Sequence, residues 1–142
     1  MKKRILIILF LILVLIQFIP ALPEDKPLVK GKSFTEVYEV PMDIEHILST
    51  ACYDCHSGTV RWPWYSRVAP LSFWIGHHVE EGTEHLDFSN WADYDAGRAD
   101  HKLEEIAEEV AEGEMPLESY TWMHAEARLT SEQRERLVKF IN

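Results

Sequence analysis

Ile44-Glu45-His46-Ile47-Leu48-Ser49-Thr50-Ala51-Cys52-Tyr53-Asp54-Cys55-His56 decides how this chain reads. Ile44, Ile47, Leu48, Ala51 and Cys52 recur at i, i+3, i+4, i+7 and i+8, the stripe of an amphipathic helix. Pro41 stands just before, and Asp43 and Glu45 suit a first turn, where carboxylates meet the positive end of the helix dipole. The helix therefore carries Cys52 on its apolar face and leads straight into Cys52-x-x-Cys55-His56. Both cysteines of the 142-residue chain fall in this motif, so the chain is not a disulfide framework.

C-x-x-C-H is the attachment signature of c-type haem. Two thiols three residues apart at a helix end can each form a thioether to one porphyrin, and the adjoining His56 then meets the iron from one face. The rival readings explain less. A thioredoxin-like pair needs a βαβ context, which the pattern lacks. Structural zinc needs four ligands, and Cys52, Cys55 and His56 supply three. A plain disulfide gives His56 no role.

Outward from the motif, further helices follow. Pro70 opens one with Leu71, Trp74, Ile75, His78 and Val79 on one stripe, ending near Gly82. Another carries Leu103, Ile106, Ala107, Val110 and Ala111 and stops at Gly113. The last begins at Thr130, where Thr130 and Gln133 form a capping box ahead of Leu137, Val138, Phe140 and Ile141. No strand pattern or repeat is visible. The expected fold is all-α, a small cytochrome c-like helical domain around one haem over residues 42–142. Its long connections, Ser57–Ala69 and His85–Arg98, are long enough to expect packing or function in them.

At the amino end, Lys2-Lys3-Arg4 precede a run from Ile5 to Ile19 that is apolar except for Gln17. This is the layout of an export signal. The run from Ile5 to Leu22 would make a helix of roughly 27 Å, near the lower limit for spanning a bilayer. Around Ala21, Ile19 and Pro23 do not make a small-x-small cleavage site. Residues 1–22 therefore read as an uncleaved signal anchor, with a removed signal peptide as the alternative. The three basic residues would stay inside and send the rest outward. The expected location is the inner membrane, single-pass, with the domain in the periplasm, or the soluble periplasm if the segment is cleaved. Residues 23–41, rich in proline and weakly periodic, read as a linker.

Composition limits the partners. Setting aside Lys2, Lys3 and Arg4 takes the net charge from −10 to −13, which excludes ordinary nucleic-acid binding. Between Glu80 and Glu118 lie 14 acidic residues against Arg98 and Lys102. That stretch is a solvated face or a docking surface for a basic redox partner. No D-x-D-x-D-G calcium loop is present.

For the iron's sixth position the residues leave alternatives. Met115, in Gly113-Glu114-Met115-Pro116, sits on a loop between two helices, as does the distal methionine of small cytochromes c. The plain reading is a core methionine. His78 lies on an apolar stripe and is the rival; Met123 and His124 are weaker candidates. Trp62, Trp64 and Tyr65, with His78, are candidate haem-pocket residues, and Arg61 or Arg67 could pair with propionates. Met/His ligation would raise the reduction potential and fill the iron; an open sixth position would suit a sensor or a peroxidase accessory.

Several blocks resemble a known family. Cys52–His56, Trp62-Pro63-Trp64-Tyr65-Ser66, Ala69-Pro70, Trp74-Ile75 and His78-Val79 are similar to the small bacterial haem-binding domain family with a C-x-x-C-H motif. Leu86-Asp87-Phe88-Ser89-Asn90-Trp91, Gly113-Glu114-Met115-Pro116-Leu117, Tyr120 and His124-Ala125 continue the resemblance in order, covering about Ile44 to Ile141. It implies one covalently attached haem c per chain and an exported or anchored monohaem protein. The expectation is a single-electron carrier rather than an enzyme.

Overall fold

The structure is a computed structural model that describes residues 2–20 and 31–142. Every regular element among them is helical: α1 (Lys2–Leu15), α2 (Phe34–Val37), α3 (Met42–Ala51), α4 (Tyr53–His56), α5 (Leu71–His85), α6 (Ala96–Glu112), α7 (Glu118–Thr121) and α8 (Ser131–Ile141), with short 3₁₀ turns between. The expected all-α architecture is what forms.

The core lies where α3, α6 and α8 meet. Ile44, Ile47 and Leu48 of α3, Ile106 and Val110 of α6, and Leu137 of α8 are buried in one cluster. The caps follow the local chemistry. Thr130 and Gln133 form the expected capping box, and Gly113 closes α6 in the left-handed region at φ 85°, where a Cβ would be strained. α6 is longer than its apolar stripe suggested. Asp95 accepts a hydrogen bond from the Arg98 amide and starts the helix at Ala96, an N-cap the reading passed over.

Three other expectations need correction. The first is the linker. Its residues 23–30, and Ala21 and Leu22 at the end of the anchor segment, lie outside the described residues. From Gly31 on, the segment is packed: Ser33 and Glu36 form a capping box, and Phe34 is only 1% exposed, in edge contact with Phe88 and Trp91. Burying an aromatic ring outweighs the extended preference of a proline-rich flank.

The second is α5. It runs through Gly82 to His85, and its buried residues are Ser72, Gly76 and Val79, so only Val79 of the apolar stripe is packed. Leu71 and Trp74 are 39% and 45% exposed. α4 approaches α5 closely at Gly82, further along the helix.

The third is the amino-terminal helix. α1 ends at Leu15 and a 3₁₀ turn, Ile16–Phe18, follows, so the continuous helix of about 18 residues does not form. Among the described residues no helix is long and apolar enough to cross a membrane.

Candidate haem site

The motif sits at a break between two helices. Cys52 caps α3 with φ −123° and ψ −46°, and α4 carries Asp54, Cys55 and His56. The break turns both thiols and the imidazole toward one cleft of about 460 Å³, which they line together with Ile106, Val110 and Met115. That size falls within the range of small-molecule and cofactor pockets.

α5 backs the motif. A Cβ added to Gly82 would stand 2.7 Å from the Cys55 carbonyl oxygen, so only glycine allows this approach. The closeness has a chemical product. His56 Nδ1 donates to the Gly82 carbonyl at 2.8 Å and to the Leu86 carbonyl at 3.2 Å. Carbonyls only accept, so Nδ1 carries the proton and Nε2 keeps its lone pair. Among the described residues Nε2 has no hydrogen-bond partner. Burial lowers the His56 pKa and holds the ring neutral. A neutral imidazole oriented through its second nitrogen is the form a metal ligand needs.

Burial also pushes the Cys52 thiol up to about 12 and the Cys55 thiol up to about 11. Both cysteines are free. Among the described residues no group of three or more His, Cys, Asp or Glu side chains is placed to hold a metal ion. The zinc reading therefore gains no fourth ligand.

Asp54, the third residue of the motif, is the part that sequence reasoning missed. Its buried carboxylate accepts from Arg61 Nε at 3.1 Å, from the Arg61 amide at 3.2 Å and from Tyr120 Oη at 2.8 Å. The Asp54 bond raises the Arg61 pKa further, and burial raises that of Tyr120. Arg61 is thus engaged by Asp54. The network fastens the loop after the motif, and α7, to the haem-motif turn.

The remaining candidates are dispersed. Met115 lines the cleft; its amide donates to the Glu109 carbonyl at 3.1 Å and its carbonyl accepts from Arg134 at 3.1 Å. His78 borders both this cleft and a second, apolar cavity of about 200 Å³, and its Nδ1 is bonded to the Trp74 carbonyl at 2.9 Å. Trp62, Tyr65, Met123 and His124 line only the second cavity, with Tyr65 Oη and His124 Nε2 hydrogen-bonded at 2.6 Å. Trp64 is 78% exposed and lines neither space. Arg67 is exposed. His85, which no motif marked, borders the cleft one turn beyond Gly82.

Two thiols, an oriented neutral imidazole and apolar walls in one cleft fit a haem. No curated protein and no solved structure matches the chain. Residues 11–142, nearly its whole length, match the haem-binding domain family, and the chain belongs to that family.

Proposed function

We propose that this chain is an exported, membrane-anchored monohaem protein of the c type that carries single electrons. When bound, haem supplies an iron centre that accepts and returns one electron. In this reading Cys52 and Cys55 hold haem c as thioethers, and His56 Nε2 is the proximal ligand. The observation that carries the reading is the pair of carbonyl bonds at His56 Nδ1, which leaves Nε2 available as a ligand on a residue that lines the same cleft as both thiols.

The same orientation favours Met115 as the distal ligand. The two ring nitrogens point to opposite sides of an imidazole. Nδ1 faces the last turn of α5, so Nε2 faces away from it. His78 and His85 stand on α5, whereas Met115 stands on the loop after α6, pinned by Glu109 and Arg134. Lys2, Lys3 and Arg4, in the first turn of α1 ahead of its apolar residues, support export and anchoring. The exposed acidic side chains of α6, among them Asp100, Glu104 and Glu108, suit a basic redox partner.

A reduced-minus-oxidised spectrum with and without carbon monoxide tests the ligation. Wild type is expected to show the methionine–iron band and to exclude carbon monoxide, and Met115→Ala to lose the band and admit the gas. Carbon monoxide binding to wild type would support the alternative, a sensor or peroxidase accessory with an open sixth position. An unchanged Met115→Ala spectrum, with His78→Ala opening the iron, would establish bis-histidine ligation.

A further inference from the structure

Gln17 is the polar interruption in the apolar Ile5–Ile19 run, and it makes a two-way contact with the domain. Its Nε2 donates to the Ala69 carbonyl at 3.1 Å, and the Ala69 amide donates to its Oε1 at 3.0 Å. This clasp brings the end of the apolar segment, whose α1 residues are all exposed, against the start of α5.

The surface beside the clasp is apolar too. Val68, Leu71, Trp74, Trp122 and Met123 are 45%, 39%, 45%, 69% and 63% exposed. The last four border the 200 Å³ apolar cavity, so they form one continuous rim. Soluble surfaces rarely gather large apolar side chains in this way. Charge is segregated as well. Residues 57–79 contain Arg61 and Arg67 and no Asp or Glu, in a chain of net charge −10. This aromatic, carboxylate-free stretch is continuous with an apolar helix, and the face it helps build matches the interfacial zone of a bilayer, where Trp and Arg concentrate.

We propose that the face formed by Val68, Leu71, Trp74, Trp122 and Met123 seats on the surface of a lipid bilayer, with the Gln17–Ala69 clasp fixing the domain's orientation. The proposal rests on the reading that the amino-terminal segment anchors the chain. It places the second cavity toward lipid. That cavity shares Cys55, His78, Leu117 and Tyr120 with the haem cleft.

Two methionines test it. Met42, on α3 outside this face, is 90% exposed, and Met123 is 63% exposed, so exposure alone predicts similar oxidation rates. The full haem-loaded chain is reconstituted into phosphatidylcholine vesicles containing phosphatidylglycerol and treated with chloramine-T. The two methionines belong to one chain, so the ratio of their rates is independent of insertion sidedness. Met123 is expected to oxidise about tenfold more slowly than Met42, as a side chain sunk into the headgroup zone would. Leu71→Glu with Trp74→Glu should bring the two rates together while the chain still floats with the vesicles and keeps its haem spectrum.

Similar rates in the vesicle-bound wild type would overturn the seated face and leave anchoring intact. Protection that survives the double substitution would mean a protein contact covers Met123, and would also overturn it. A chain that fails to float with vesicles overturns the anchoring reading and this proposal with it.

Discussion

Gly82→Ala sets two physical effects against each other. Gly82 lies inside α5, where alanine normally gains about 1 kcal/mol of helix stability. Here the new methyl would lie 2.7 Å from the Cys55 carbonyl oxygen and 3.3 Å from the Cys55 carbonyl carbon and Cβ. These are backbone and motif atoms, not the end of a flexible side chain, so α4 and α5 must move apart. Overpacking of this kind costs about 1–3 kcal/mol. Moving α5 also stretches the His56–Gly82 bond of 2.8 Å, worth about 1 kcal/mol. The clash and the lost bond together exceed the propensity gain, leaving a net loss of about 1–3 kcal/mol. For a domain of this size that lowers Tm by about 5 °C per kcal/mol. Urea denaturation of the haem-loaded protein, followed by the haem spectrum, reads the change as a lower midpoint at unchanged slope. Gly97→Ala is the control. Its added Cβ meets nothing closer than Asp95 Oδ1 at 3.6 Å, so it should be neutral or stabilising by up to about 1 kcal/mol. A Gly82→Ala protein as stable as wild type would refute the argument that close helix approach orients His56.

Tyr120→Phe removes the hydroxyl that donates to buried Asp54 at 2.8 Å and should cost about 1–3 kcal/mol in urea denaturation; no loss would show that Arg61 alone satisfies the carboxylate. Phe34→Ala should cost about 3–5 kcal/mol by the same assay, as for a core phenylalanine. A value near zero would return that segment to the status of a tether. In the haem-free chain, the rise of the Cys55 thiol from 9.0 to about 11 should slow its alkylation by iodoacetamide at pH 8 about 100-fold relative to the denatured chain. Equal rates would mean that the thiol is not desolvated.

Covalent and local features were the most legible part of the sequence. Cys52, Cys55 and His56 are read from spacing alone because their chemistry acts within one turn. The core face of α3, the Thr130–Gln133 box and the Gly113 stop likewise depend on neighbours a few residues away. The contacts that complete the site run across long separations. Gly82 looked like a helix end because its real neighbour, the Cys55 backbone, is 27 residues earlier. Asp54 stands at one of the two variable positions of C-x-x-C-H, and its partner Tyr120 lies 66 residues on. The stripe of α5 was real, but apart from Val79 it faces the second cavity and solvent, while Ser72 and Gly76 are buried. Phe34 was recoverable in principle: Ser33 and Glu36 have capping-box spacing, and the surrounding prolines drew the reading away from it.

Haem staining after full denaturation tests the central claim most directly. Wild-type protein, matured where haem c is attached and run on a denaturing gel, should keep its stain. The Cys52→Ala, Cys55→Ala double variant should lose it entirely, and each single variant should keep one thioether. Equal staining of wild type and double variant, or an unstained wild type that binds haem only before denaturation, would contradict covalent attachment through Cys52 and Cys55.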